Sequence, residues 1–466
     1  MNRKIWKALG IAVCMLALAA PRAMAKTYEV GTEDKFAEAV QEINKKSSDK
    51  INEIFLTQDI NPLTGNYTLT NGKTTTIKGE NHRIFIKGSN AGITVTGEKT
   101  TLNLGVNGYD KKLTIDGDTT AAFIVVSGRA TANMYENVTL QNRQSTGNAY
   151  VLVTGSDPVT GSKSVFNMKG GVIERGSRAV IAKSGATFNM SGGEIRNRKD
   201  GSGNGGGVHV YEATFVMSGG TISGCTANEG GGLCAEKSST VTISGGTISG
   251  CSASKGGGLY AENSTITISD GTISGSTISG GTISGCTAEA GGGLYVDGST
   301  VTISGGAISE CTAAKNGGGL YAKNSPKITI TGGTISGCKA SLGAGGGLYV
   351  DGSTITINNG TISGCTAIGD GGGLYAKNSS AITITGGTIS GCEGGLGGGL
   401  YAEDSSTHSS TVTISDVTIS GCKAGAGGGL YVVGLTLNIE GGTISGCFVS
   451  DSGKGGGLFA DQSTLT

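Results

Sequence analysis

Residues 280–304 read GGTISGCTAEAGGGLYVDGSTVTIS, and this stretch decides the fold. It holds three short runs: Thr282-Ile283-Ser284, Leu294-Tyr295-Val296-Asp297 and Thr300-Val301-Thr302-Ile303-Ser304. Their alternation of period two is the pattern of a strand with one face buried. Glycine clusters between the runs mark turns. The unit then recurs. Its central isoleucine returns at Ile222, Ile248, Ile283, Ile308, Ile335, Ile362, Ile389, Ile419 and Ile444, most often 25 to 27 residues apart. The 35-residue step to Ile283 contains a partial duplication, Thr272–Gly281, and removing those ten residues restores 25. The 30-residue step before Ile419 carries an extra tract, Ser405–Ser410, which reads as a surface loop.

Three strands in ~26 residues make one coil of a parallel β-helix, with equivalent residues stacked about 4.8 Å apart. One coil cannot bury its own inner face, so stability comes from stacking. A propeller blade would need four strands in ~40 residues, and a leucine-rich repeat its own Leu and Asn spacing. The spacing therefore predicts an all-β parallel β-helix of about a dozen or more coils, three strands per coil. Alternation turns Val241, Ile243, Leu294 and Val296 inward. It turns Thr240, Thr242, Ser244, Tyr295 and Asp297 to the outside. The turn after the tyrosine strand holds Asn263, Gly298, Asn324, Gly352, Asn378, Asp404 and Gly434, residue types that tolerate a left-handed backbone. Two residues after each tyrosine stand Glu262, Asp297, Lys323, Asp351, Lys377 and Glu403. From Asp297 the sign alternates, which predicts a ladder of opposite charges.

The start of the chain is different. Arg3, Lys4 and Lys7 precede an apolar run, Ala8–Ala20, and a small-residue site, Ala23-Met24-Ala25. This order reads as a secretory signal peptide, residues 1–25. Residues 26–60 read as an N-terminal cap. There Asp34–Ile43 has helical spacing through Phe36, Val40 and Ile43, between strand-like Thr27–Val30 and Ile54–Thr57. Residues 61–204 read as irregular coils, with better copies at Phe166-Asn167-Met168 and Phe188-Asn189-Met190, and with Glu174 stacked beside Arg196. Residues 205–466 are the regular repeats. They stop inside a unit, which leads us to expect either a truncated product or association through an open last coil. Nothing after the signal is apolar enough to span a membrane as a helix.

Composition excludes some function classes. Glycine, 87 of 466 residues, is far above the usual share, yet there are only four prolines, so the chain is neither collagen nor a polyproline linker. From Gly205 onward there are 9 Lys, no Arg and 17 acidic residues, 9 − 17 = −8. That half lacks the guanidinium forks that grip phosphate, and we expect no nucleic-acid partner.

The candidate functional residues lie in columns. Tyr260, Tyr295, Tyr321, Tyr349, Tyr375, Tyr401 and Tyr431, continued by Phe459, form an outward aromatic stripe. It is either a binding surface for sugar rings or proteins, or a self-stacked ladder that stiffens the sheet. Cys225, Cys251, Cys286, Cys311, Cys338, Cys365, Cys392, Cys422 and Cys447 form a second column. Buried thiols filling a corner are favoured over disulfides. There are three His and no CxxC pair, so no metal site and no cofactor is expected. Parity along Ile248-Ser249-Gly250-Cys251 points the cysteine outward unless the glycine resets it. Catalytic groups, if present, would lie among Arg143, Glu174, Arg175, Glu194, Arg196 and Asp200, where structural ion pairs are the plainer reading.

The FNMSGG, GGTISG and GGGLY segments resemble right-handed parallel β-helix repeats of bacterial surface and secreted proteins. They are similar to polymorphic outer-membrane-protein and autotransporter adhesin repeats, whose GGA-plus-aliphatic motif corresponds to Gly291–Leu294. The cap and early coils resemble the pectin-lyase-like superfamily. The resemblance implies the right-handed form of the β-helix. It also implies a secreted or cell-surface protein with an adhesin-like or structural role and with host or surface glycans or proteins as partners. It holds open a polysaccharide lyase or hydrolase as the alternative, because this fold carries both.

Overall fold

The computed structural model describes residues 25–45, 49–70, 72–142, 149–155, 161–198, 203–269, 281–325, 327–378, 381–404, 410–450 and 452–466. Most of the signal segment, Arg143, Asp200, all but Gly281 of the duplication, and all but Ser410 of the serine tract lie outside the described residues.

The chain is a right-handed parallel β-solenoid of about 15 turns. The tyrosine-bearing face is a 15-stranded sheet that begins at Asn66–Leu69 and ends at Leu458–Asp461. The Thr-Val-Thr-Ile-Ser strands and the Thr-Ile-Ser strands form the other two faces. They join through Thr214–Ser223 and Thr240–Ser249, which each run through the corner as one ten-residue strand. Short strands after the cysteines, such as Thr312–Ala313 and Lys339–Ala340, add a narrow fourth ladder.

Register follows the repeat. Ile222 pairs with Ile248, Ile248 with Ile283, and so on through Ile444. Leu294, Leu320 and Leu348 pair in sequence and are fully buried, as are Val241, Ile243 and Val296. Each such side chain withdrawn from water stabilises by roughly 1.5–3 kcal/mol. The duplication leaves the register intact. Ile268 pairs with Ile303, and the Gly281 N–H donates to the Ser269 carbonyl at 3.2 Å, closing the excursion.

The corners are built from backbone sign changes. Asn263, Asn324 and Asn378 have φ near +50°, and Gly298, Gly352 and Gly434 lie between +61° and +64°. One position later, Ser264, Ser299, Ser325 and Ser353 are buried. Ser299 Oγ accepts from the Ser264 N–H, and Ser353 Oγ from the Ser325 N–H, each at 2.9 Å. These hydroxyls satisfy corner amides that no neighbouring strand reaches.

The helix spans Glu33–Asn44, capped by Thr32, whose hydroxyl accepts from the Lys35 N–H at 3.3 Å. Phe36, Ala39, Val40 and Ile43 are buried against the first coil, and Phe36 meets Tyr67 edge-on at 5.2 Å. Strands Lys26–Val30 and Ile51–Leu56 flank it. In the irregular coils Asn103, Asn133, Asn167 and Asn189 form an amide ladder with spacings of 2.8–2.9 Å, and Phe166, Phe188 and Phe215 stack inside.

Candidate functional site

The tyrosine column forms a continuous stack. Ring centroids from Tyr260 through Tyr431 are 4.8–5.4 Å apart with interplanar angles of 16° or less, and Phe459 continues the series at 4.9 Å. The spacing is that of the coils, so strand register alone brings the rings together. Their expected exposure needs correction. Tyr260, Tyr295, Tyr349 and Tyr401 are buried, and Tyr321, Tyr375 and Tyr431 are half-buried. The side chains do point away from the coil interior. The chain entering each glycine triplet then folds back over them: a Cβ on Gly371 would lie 2.7 Å from Tyr375 Cβ, and one on Gly317 2.8 Å from Tyr321 Cβ. Ring faces are taken by neighbouring rings, which leaves edges and hydroxyls outermost. Burial, with Tyr321 and Asp351 alongside, lifts the Tyr349 phenol to about 12.

The charge column is a mixed ladder. Lys323 pairs with Asp297 at 2.7 Å. Asp297 and Asp351 also accept from the Asn324 and Asn378 amides at 3.2 Å, and Glu403 accepts from the Tyr375 and Tyr401 hydroxyls. Further pairs cross coils on the fourth ladder: Lys255–Glu229, Lys315–Glu289 and Lys423–Glu393 at 2.7–3.2 Å.

The cysteine column points inward. Gly224, Gly250, Gly285, Gly337, Gly364, Gly391, Gly421 and Gly446 all have φ between +55° and +61°, and Glu310 holds +53° before Cys311. This left-handed residue reverses the parity. The thiols are free, and all but half-buried Cys447 are buried. Each donates to the carbonyl of the serine two residues before it and lies near an isoleucine carbonyl of the preceding coil, as Cys338 does to Ser336 at 3.4 Å and Ile308 at 3.7 Å. At the head of the column Asn197, at φ +51°, turns Arg198 inward. Its guanidinium donates to the Arg175 and Arg178 carbonyls and lies 4.2 Å over the Tyr150 ring.

Of the carboxylates weighed as catalytic, Glu174 and Glu194 are both held by Arg196, at 2.9 Å each. Arg175 occupies a left-handed turn.

One cluster breaks the columns. The tyrosine position is occupied by Cys234 one coil before Tyr260, and by His209 one coil earlier still. On the same outward face, Glu236 follows Cys234 by two residues. A ring nitrogen of His209, Cys234 Sγ and a Glu236 oxygen lie within 4.8 Å of one another, and His209 Nε2 meets Glu236 at 2.6 Å. The Asn204 amide donates to Glu236 at 3.1 Å and to Glu229 at 3.2 Å. The bond from His209 holds the Glu236 carboxyl below its usual range. Burial, reinforced by Glu236, Glu229 and Glu262, pushes the Cys234 thiol well above its ordinary value. Reading the sequence for CxxC pairs missed this grouping. Its visible signal is GGGLCAE at 230–236 where later coils have GGGLY, with His209 one coil length upstream.

Residues 274–439 match the family model described as a right handed beta helix region. No curated protein and no solved structure matches the chain. The matched segment lies wholly within the regular repeats, 205–466. That fold serves enzymes and non-enzymes alike, so it leaves the activity undecided. Among the described residues no helix is long and apolar enough to cross a membrane.

Proposed function

We propose that this chain is a secreted or surface-displayed rod with a structural, adhesin-like role, and that its regular repeats carry no catalysis. One observation carries the reading: outward groups of the regular coils recur in uniform columns and satisfy one another along the axis. Tyrosines stack on tyrosines, and Lys323 pairs with Asp297. A hydrolytic centre instead needs two carboxyl groups set apart for different tasks. Glu174 and Glu194 share one arginine, Arg196, which suits an ion pair better than an acid–base pair. The basic, apolar and small-residue order of residues 1–25 supports export. Partners on this reading are glycans or proteins that contact the flank of the rod. They would meet tyrosine edges and hydroxyls rather than ring faces. The test is incubation of the purified chain with acidic and neutral polysaccharides, followed by an assay for new chain ends. No new ends are expected, and reproducible cleavage would overturn the proposal in favour of a polysaccharide-degrading enzyme.

A further inference from the structure

We propose that His209, Cys234 and Glu236 bind one divalent cation of the zinc type, which staples two adjacent coils where the irregular coils give way to the regular ones. Register supplies the geometry. His209 lies directly across from Cys234 on the neighbouring parallel strand, and Glu236 follows Cys234 at the next position of the same face. Three different ligand atoms, an imidazole nitrogen, a sulfur and a carboxylate oxygen, thus converge within 4.8 Å of one another. A tetrahedral zinc with bonds of about 2.0–2.3 Å needs ligand atoms roughly 3.3–3.8 Å apart. Small side-chain rotations close the difference. The nitrogen, sulfur and oxygen set suits zinc or cobalt rather than calcium or magnesium, which take oxygen.

Three further features point to a ligand rather than to another rung of the rod. First, the residues depart from the repeat. In the tyrosine column every coil from Tyr260 to Tyr431 carries a tyrosine. Cys234 stands in that column one coil before the tyrosines begin and is the one described cysteine outside the thiol column. Second, the carboxylate is oriented from behind. Asn204 donates to one Glu236 oxygen while the other faces His209, the arrangement that positions metal-binding carboxylates. Third, the site is walled on one side and wet on the other. Cys234 lies across from Tyr260, which stacks in turn on Tyr295, while the His209 and Glu236 side chains are each 15% exposed, which gives an ion a path in. Glu229 and Glu262 add negative charge nearby.

Binding replaces protons. The cation takes the place of the hydrogen between His209 Nε2 and Glu236, which passes through solvent to Nδ1 so that the ring stays neutral, and the Cys234 thiol releases its proton to solvent as the thiolate forms the metal bond. Three protein ligands leave a fourth position for water.

The experiment uses the full chain, stripped with a chelator and kept reduced with a phosphine, and titrated with Co2+ alone and then Zn2+. One Co2+ per chain is expected, with thiolate-to-cobalt absorption that Zn2+ abolishes and with a rise in melting temperature. C234S and H209Q lose the absorption, C311S in the thiol column retains it, and N204A weakens affinity by about 10–100-fold. Absence of saturable binding, or cobalt–thiolate absorption that survives C234S, would overturn the proposal. Should C234S or H209Q lose its β circular dichroism, E236Q decides at the solvent edge: affinity at least about tenfold weaker supports the site, and unchanged affinity refutes it.

Discussion

Replacing Gly319 by alanine tests how closely the coils approach. A Cβ on Gly319 would lie 2.7 Å from the Gly347 carbonyl oxygen, 3.0 Å from Ile335 Cγ2 and 3.2 Å from Cys338 Sγ. Ordinary contact begins at 3.4 Å, so the next coil must retreat by 3.4 − 2.7 = 0.7 Å to restore it. The Gly319 N–H donates to the same carbonyl at 3.0 Å, so retreat also stretches a ladder hydrogen bond. Overpacking of this kind costs about 1–3 kcal/mol, and a stretched bond adds about 1 kcal/mol. The expected loss for G319A is therefore about 2–4 kcal/mol. In a stacked repeat the damage falls mainly on the coils that touch. The control is G352N. Gly352 has φ +61° with nothing within 4 Å of its added Cβ, and Asn324 and Asn378 occupy the same column at φ +50°. It should change stability by no more than ~0.5 kcal/mol. Urea unfolding gives the totals, and amide hydrogen exchange locates the loss in the coils around Gly319 and Gly347. A G319A protein within ~0.5 kcal/mol of the parent, or a G352N protein less stable than G319A, would refute the close-packed stack.

Y321A removes a ring between neighbours at 4.8 and 4.9 Å. Two stacked pairs predict a loss of about 1–3 kcal/mol, while Y321F should stay near the parent in the same urea assay. The thiols from Cys225 to Cys422 are free and buried, so a disulfide-exchange reagent should label them only as the chain unfolds, with Cys447 reacting first; a native cross-link in the mass spectrum would contradict this. Glu33 is partly desolvated, which raises its pKa, but hydrogen bonds from Gly65, Tyr67 and Thr64 outweigh this and hold it below the usual carboxylate value. A folded pKa below the unfolded one stabilises above the unfolded value and is lost as pH falls through the folded value. The helix at Glu33–Asn44 should therefore lose amide protection, taken against the intrinsic exchange rate at each pH, as the solution is acidified, and E33Q should flatten that pH dependence.

Much of this was legible because the repeat converts sequence distance into spatial register. Ile222 to Ile444, Leu294 to Leu348, and the Glu174–Arg196 pair follow from counting residues. Period-two alternation also told which way each tyrosine leaves the strand. It could not tell that the backbone before each glycine triplet returns over the ring, because that depends on loop path rather than strand parity. The inward cysteine was open in the sequence for a related reason: one left-handed residue, Gly250 or its equivalents, reverses alternation. His209, Cys234 and Glu236 were missed because columns were read by their majority residue, and this site consists of exceptions.

The central claim is that each coil lies directly on the one before. Thr242, Thr267, Thr302, Thr329, Thr356, Thr383, Thr413 and Asn438 form one outward column, each paired with the next. Spin labels carried on genetically encoded keto side chains, which spare the native thiols, allow distances along that column to be measured by pulsed electron resonance. Separation should rise by about 4.8 Å per coil, reaching about 34 Å between positions 242 and 438 whatever the number of residues between them. Distances that fail to grow in equal steps, or that follow residue number across the insertions at 272–281 and 405–410, would contradict it.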